Sequence, residues 1–596
     1  MKQFQFTFRD NKTLEKELKK LRQWVRGRFC SGLLIHMFTE TAARRRIERA
    51  CETIGRILPE ALYAGCSTNG NIVNGDFSGG SVAVVCTLFE YPTTKVELLQ
   101  YPITSDTQES VAETLAAEIE KRPWVKAVEM LVTIHRAIHR ASMTKLCDGL
   151  SRIRPGVQLF GGGAFCEDVG GDDDCVFSKA GGYQENGVVF LLFGGEDFHV
   201  ESFYVTGWRP LGSFMEATRT DGPLLMELDH HPAYDAYYKY LHIRNDEHFF
   251  NNTLEFPFLY RQHGIDIMRA PVASNPDGSL TMTSDMRQNV KTRIAYGDPW
   301  TILDSVWKEG KRLLEYAPDC IFVFSCAARR IFWGNDEVGK ETEPYQMVAP
   351  TSGFYTSGEF LRTGDYVDQH NVTQVIAALR EGEAKEQHSA EDFQRAEEGF
   401  EGKVSMINRM ATFITATTEE LEEANRKLRE LAVTDMMTGV GNQTAYLEKI
   451  HALDEEIDQG IAAFTIFMFD LNGVKEVNDK YGHECGDLMI ADAADALKTV
   501  FGKESLYRIG GDEFVAILEG IPQPDVQRHF RDLEEAIASK NKEDRPYKSQ
   551  LSVSKGAAIF GVGEDATYQD VFRRADQAMY QEKSVYYATH NRRRHK

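Results

Sequence analysis

Two groups of carboxylates stand apart in this sequence. Asp470 ends the apolar run Phe464-Thr465-Ile466-Phe467-Met468-Phe469 and is followed by Leu471-Asn472-Gly473. A run of that kind reads as a buried strand, and the loops at such strand ends are where open α/β sheets place their ligands. The second group is Gly510-Gly511-Asp512-Glu513-Phe514, a glycine turn carrying adjacent acids between two strands. The glycine pair alone would suit an ordinary hairpin. Two acids directly after it, in a turn facing a strand-end aspartate, suit a hard divalent cation. Magnesium is usually held by one or two protein carboxylates together with nucleotide phosphate oxygens.

The elements around these acids read as alternating strands and helices. A helix is expected around Asp487 to Val500, short strands at Leu506-Tyr507-Arg508 and Phe514 to Leu518, a strand beginning at Leu551, and a final helix from Val571 to Val585. Upstream, residues 1 to about 380 read as mixed α/β with many strands. Ser81 to Phe89 and Gly187 to Phe193 are apolar runs bounded by glycines, and Gly161-Gly162-Gly163 and Gly170-Gly171 mark tight turns or close backbone approach. No Walker pattern, dinucleotide glycine fingerprint or metal-spaced His/Cys cluster occurs there. From about 381 strand signals vanish and a seven-residue spacing emerges: Phe393, Phe400, Ile407, Ile414, Leu421 and Leu428, with Ala396, Lys403, Met410, Thr417, Ala424 and Leu431 as companions. This spacing predicts a coiled coil, weakened by Lys403, Thr417, Gly399 and Gly402; the alternative is a long amphipathic helix lying on the upstream domain.

At 596 residues the chain exceeds one hydrophobic core, and two to four domains are expected. Hydrophobic residues at 42% and charged residues at 27% exclude a wholly disordered chain. A formal net charge of −22 argues against a surface that grips nucleic acid or an anionic membrane, but leaves room for a phosphate-bearing ligand held by local cations or a metal. The apolar runs are too short to span a bilayer, and the first residues lack the apolar stretch of a secretory signal. Ten cysteines with no CxxC pair read as reduced thiols. The expectation is a soluble, cytoplasmic, multi-domain protein.

Arg508 to Phe514 resembles the hallmark of the GGDEF family, the diguanylate cyclases. Four further stretches resemble family motifs in order: Thr434 to Asn442, Asp470 to Asp479, Gly482-His483-Glu484-Cys485-Gly486-Asp487, and Ala575 to Lys583. The resemblance implies an α+β domain with a central, mostly antiparallel sheet flanked by helices. It implies condensation of two GTP into cyclic di-GMP, each 3′-hydroxyl attacking the other nucleotide's α-phosphate and releasing two pyrophosphates. By the same resemblance Asp470, Asp512 and the backbone carbonyl of Leu471 would ligate Mg²⁺, with Mn²⁺ as the alternative, and Glu513 would contact a second ion. Asp512 would be the base for the 3′-hydroxyl. Asn478 and Asp487 would read the guanine edge, and Lys475 and Lys583 would bind phosphate. The sequence departs from the family pattern at Asn472, Val474 and Tyr587. The family's product-binding R-x-x-D is replaced by Phe501 and Glu504.

Residues 1 to about 375 resemble the FIST family, a two-part sensory domain. The resemblance rests on Ala64 to Gly70, Gly207-Trp208-Arg209-Pro210-Leu211-Gly212, Phe324 to Arg329 and Gly353 to Glu359. It implies a small-molecule ligand whose identity, an amino acid, haem or another compound, the sequence does not name. Cys66, Arg329 and Tyr355 are pocket candidates with a buried thiol and a structural arginine as the alternative; His36 and His242 are the histidines open to an iron role, against surface or core roles. The combined expectation is a FIST sensor (1–222 and 223–380), a helical coiled-coil linker (381–431) and a GGDEF cyclase domain (432–596). Each cyclase domain would hold one GTP, so the product requires a homodimer. Two rivals stand beside the enzyme: a non-catalytic nucleotide receptor, and a scaffold whose cyclase domain only dimerises.

Overall fold

The computed structural model describes residues 1–134, 142–166, 174–384, 393, 406–520 and 523–594. The chain divides into two compact units, Met1–Ala416 and Thr417–Lys596.

Three six-stranded sheets organise the first unit. Each contains a parallel pair: Gly32–Thr39 with Leu62–Ser67, Val125–Thr133 with Gln158–Ala164, and Cys320–Cys326 with Thr351–Thr356. Parallel neighbours need a crossover, and helical segments supply it: Arg44–Ile57 in the first pair, Thr144–Leu150 in the second, and Ala327–Trp333 and Glu343–Val348 in the third. The glycine-bounded apolar runs form the strands Val82–Phe89 and Gly187–Gly194, buried along their whole length as expected. Two sheets mix distant parts of the chain. Asn71–Val73 pairs with Thr351–Thr356, and Gln158–Ala164 pairs with Glu359–Thr363. One core joins all three sheets, with Phe38 and Phe354 ring centroids 4.8 Å apart and Phe160 and Phe324 6.1 Å apart. At Gly161 (φ +154°) a side chain would meet the Met130 carbonyl oxygen at 2.0 Å, so this glycine marks close backbone approach. Gly170-Gly171 lies outside the described residues.

The residues singled out in this region have structural partners. Arg329 is fully buried, its Nε and Nη2 donating to Glu341 at 3.0 and 2.8 Å and its Nη1 to the carbonyls of Thr206 and Val372. Trp333 and Gln374 complete the carboxylate shell of Glu341. A buried charge needs this many partners, and the structural role is the one the arginine fills. Cys66 and Tyr355 are fully buried, and burial pushes the Cys66 thiol well up. His36 Nε2 lies 3.0 Å from Glu129 Oε2 with both side chains buried, whereas His242 is exposed on a left-handed backbone. All ten cysteines are free.

The linker reading is corrected at its start. Phe393 is no seam residue but packs on the first unit, 5.2 Å from Trp307 by ring centroid. Ala396, Phe400 and Lys403 lie outside the described residues, as do Gly399 and Gly402. A helix runs over Met406–Val433, and on it Met410, Leu421, Leu428 and Leu431 are exposed. Among the described residues no helix is long and apolar enough to cross a membrane.

In the second unit an antiparallel sheet runs in the order Leu506–Arg508, Glu513–Glu519, Phe464–Leu471, Val553–Ile559. The central strand Phe464–Leu471 is buried throughout and separates two cores by its period of two. Phe467, Phe469 and Leu471 pack with Met489 and Leu497 of the helix His483–Phe501 and with Leu533 of the helix Gln523–Lys540. Ile466 and Met468 pack with Leu453 of the helix Gln443–Asp458 and with Val571, Ala575 and Met579 of the helix Tyr568–Arg594. Gly556 lets that last helix lie close to the sheet, since a Cβ there would meet Ala575 O at 2.3 Å. The mixed α/β class and the antiparallel sheet of this unit are as the sequence predicts.

Candidate functional site

The alternation that splits the core also aims the acids. Asp470 shares its face with Ile466 and Met468, so it looks toward the helix Tyr568–Arg594, where Lys583 Nζ donates to its Oδ2 at 2.6 Å. Glu513 lies directly across the sheet from Asp470, on the face of Val515 and Ile517. The Leu471 amide donates to the Asp512 carbonyl at 3.0 Å, which fixes the turn against the strand end. Asp470, Leu471, Asp512, Glu513 and Lys583 are thereby brought together.

Electrostatics follow from that crowding. Asp470 is only 2% exposed, and burial pushes its carboxyl up; Lys583 pulls the other way, while Asp512 and Asp576 add to the rise. Burial likewise raises Glu513, reinforced by the negative charges of Asp470 and Asp512. For Lys583 burial disfavours the ammonium, but the bond to Asp470 outweighs it and holds the group above its usual value. Several carboxylates sharing little solvent are stabilised by added positive charge.

The donor set fits a hard cation in one specific respect. Asp470 Oδ1 is buried with no hydrogen-bond partner, an acceptor that the fold itself leaves unsatisfied. Among the described residues no group of three or more His, Cys, Asp or Glu side chains is already gathered as a closed metal site. The arrangement therefore resembles the open carboxylate sites of magnesium, where nucleotide and water supply the remaining oxygens.

Asn478 and Asp487 sit across the junction of two helices, Val474–Tyr481 and His483–Phe501. Gly482 takes φ +89° between them, and its amide donates to the Asn478 carbonyl. Asn478 Oδ1 is buried and unpartnered, and a Cβ at Gly486 would lie 1.9 Å from it. Asp487 and Lys475 are exposed. The departure at Asn472 has a local cause. Its amide nitrogen donates to Ser552 Oγ at 3.1 Å and its Oδ1 accepts from Ser554 Oγ at 3.0 Å, a set an aspartate cannot reproduce. Phe501 is a core residue, 4.9 Å from Phe467 and 5.0 Å from Phe469 by ring centroid, while Glu504 is exposed.

One residue carries more than its motif signalled. Arg508 Nη2 and Nε donate to the Gly511 carbonyl at 2.7 and 3.2 Å, and its Nη1 reaches Asp435 at 3.2 Å. Asp435 also accepts from the amide and hydroxyl of Thr438; burial raises its carboxyl, but these bonds together hold it below the usual range. Asn442 Nδ2 donates to the Ala432 carbonyl at 2.8 Å, closing the end of the linker helix. A path of hydrogen bonds thus runs from that helix to the acidic turn. The Asp-x-x-Thr spacing at Asp435 and Thr438 was the available signal, since it is that of a side chain capping its own turn.

Three family models match consecutive parts of the chain: FIST N domain at 33–231, FIST C domain at 233–362, and diguanylate cyclase, GGDEF domain, at 432–586. The chain is 31% identical over 173 residues to the bifunctional diguanylate cyclase/cyclic di-GMP phosphodiesterase MucR of Pseudomonas aeruginosa, covering 29% of this chain and 25% of that one. It is 28% identical over 154 residues to the diguanylate cyclase DgcS of Shewanella oneidensis, covering 26% and 50%. The chain thus spans a quarter to a half of the length of these curated relatives. The coiled coil and GGDEF domain of DgcB from Caulobacter crescentus, solved in complex with c-di-GMP, aligns at 24% identity over 30% of this chain and 96% of that one, with a TM-score of 0.27.

Proposed function

We infer that this chain, which carries FIST N, FIST C and GGDEF domains in that order, is a ligand-regulated diguanylate cyclase that condenses two GTP into cyclic di-GMP. The observation that carries the reading is the Asp470–Glu513 pair facing Lys583, with Asp470 Oδ1 left without a partner beside the Asp512 turn. A divalent cation, magnesium or manganese, would be held by Asp470, Asp512, Glu513 and the Leu471 carbonyl, and would neutralise charge on the triphosphate and the developing alkoxide. Asp512 takes the proton from the 3′-hydroxyl. Lys583, which rests on Asp470, and Lys475 would hold phosphate oxygens. Asn478 and Asp487 read guanine, the amide and carboxylate matching its donors and acceptors. Pyrophosphate leaves as each 3′-oxygen bonds to the facing α-phosphorus, so two domains must meet.

The exposed side chains of Leu421, Leu428 and Leu431 support dimerisation through the linker helix. Incubating the purified full chain with GTP and Mg²⁺ and separating the nucleotides tests the assignment. Formation of cyclic di-GMP and pyrophosphate is expected; tight GTP binding without turnover would favour a receptor instead.

Gly486→Ala should raise the GTP KM about tenfold with a smaller change in kcat, because the added methyl displaces the Asn478 amide and loses about one hydrogen bond's worth of binding. Initial-rate kinetics check this, and an unchanged KM would remove Asn478 from the guanine site.

Product should not act as a brake through the usual position. Phe501 is committed to the core and offers no guanidinium, and Glu504 alone would repel a phosphodiester. Initial rates with added cyclic di-GMP are expected to stay flat. Strong non-competitive inhibition at levels reached during turnover would show another product site.

A further inference from the structure

The start of the chain runs against the charge of the whole. From Arg9 to Arg56 there are thirteen Lys and Arg against six Asp and Glu, in a chain whose formal net charge is −22. Two helices, Asn11–Val25 and Arg44–Ile57, carry most of these cations. Their apolar stripes face inward. Leu14, Leu18 and Leu21 of the first and Ile47, Ile54 and Ile57 of the second share one core with Val84 and Leu88 of the strand Val82–Phe89. Both helices therefore lie lengthwise on the same side of that sheet, and Asn11 Nδ2 of one donates to Thr53 Oγ1 of the other at 3.1 Å.

Helical periodicity sets what points the other way. Lys12, Lys16 and Lys19 stand two residues off the buried leucines, and Arg45 and Arg49 two residues off Ile47, roughly 200° around each helix. Lys12, Lys16, Arg22, Arg26, Arg45 and Arg49 are exposed and, among the described residues, have no ion pair or side-chain hydrogen bond. The acids of this layer are mostly engaged: Glu15, Glu17 and Glu48 pair with Lys19, Lys20 and Arg44, and Asp10 caps the first helix. Glu52 remains as an exposed opposing charge. At the end of the first helix the Arg28 guanidinium lies 5.0 Å over the Trp24 ring, and the next side chain, Phe29, is 61% exposed.

We propose that this basic face docks on an anionic lipid surface, its cations against the headgroups and Phe29 at the hydrocarbon boundary. The apolar stripes are committed to the sheet, so neither helix inserts; charge holds the face down, with an aromatic ring as anchor. Each Lys or Arg close to an anionic leaflet strengthens partitioning about fivefold, so six unpaired cations suffice. The negative remainder of the chain does not cancel them, because exposed charges farther away than about 8 Å are largely screened at physiological ionic strength. Nucleic acid fits less well. Helices lying along their own sheet do not project into a groove, and Phe29, at one end of the face, is not a succession of rings for bases to stack on.

Co-sedimentation of the full chain with vesicles of phosphatidylcholine alone, or of equimolar phosphatidylcholine and phosphatidylglycerol, tests the proposal. Binding at least tenfold stronger to the mixed vesicles is expected, and its loss at about 0.5 M salt. The quadruple variant Lys12→Glu, Lys16→Glu, Arg45→Glu, Arg49→Glu should bind at least 100-fold more weakly, with circular dichroism and cyclase rate retained. Phe29→Ser should weaken binding several-fold without changing its salt dependence, and keeps the test valid if the quadruple variant fails to fold. No binding to the mixed vesicles, equal binding to phosphatidylcholine alone, or unchanged binding in either variant would overturn the proposal. Tighter binding to a duplex oligonucleotide than to the mixed vesicles would assign the face to nucleic acid and overturn it too. The measurement needs no nucleotide, so its failure leaves the cyclase reading intact.

Discussion

Asp512→Ala should reduce cyclic di-GMP synthesis at least 10²-fold, the typical loss when a proton-transfer group is deleted, and further because charge for the metal goes with it. The fold should survive. Asp512 is partly exposed in a turn, and the contact it makes to the sheet runs through its backbone carbonyl, which the substitution keeps. Asp470→Asn should lose as much activity, because the amide preserves shape but offers less charge to the cation and to Lys583. Circular dichroism and thermal melting alongside product formation distinguish a lost site from a lost fold. An Asp512→Ala enzyme with most of its activity would remove the acidic turn from the chemistry.

These acids were legible because local pattern decided their geometry. An apolar run buried on both faces predicts a central strand, and a period of two then fixes which face Asp470 shares. The glycine pair closes a hairpin, the Ile509 amide donating to the Glu513 carbonyl at 3.1 Å, and the antiparallel register delivers Glu513 opposite Asp470. What lay beyond the sequence is long-range pairing. That Asn71–Val73 would join a sheet with Thr351–Thr356 depends on a separation of nearly 300 residues and on side-chain packing across three sheets, not on any window of the chain. The Lys583–Asp470 contact spans 113 residues, and the motif named the lysine without its resting partner. Phe393 shows the opposite failure: its seven-residue spacing placed it on a helical seam, but Trp307 offers it an aromatic surface and it packs there. Periodicity reports an apolar face, not its partner.

The same limit applies to the rest of that seam, and it makes the second large prediction. Leu421 and Leu428 are 62% and 63% exposed on the helix Met406–Val433, one heptad apart. Burying a leucine side chain is worth about 1.5–3 kcal/mol, so two per chain contribute roughly 6–12 kcal/mol to a symmetric pair of helices before the entropy of association is subtracted. Replacing both by Asp removes that term and sets unpaired like charges in the seam. Neither residue touches the acidic turn, and exposed positions tolerate Asp at a cost of a few tenths of a kcal/mol in helix propensity. The double variant should therefore sediment as a monomer with unchanged circular dichroism. At low protein concentration its specific activity should fall at least tenfold and then climb steeply as concentration rises, because encounter of two GTP-loaded domains becomes limiting. Wild-type specific activity should be independent of concentration over the same range. A double variant that remains dimeric and fully active would assign dimerisation to another surface, and a wild-type chain that sediments as a monomer would overturn the constitutive pair.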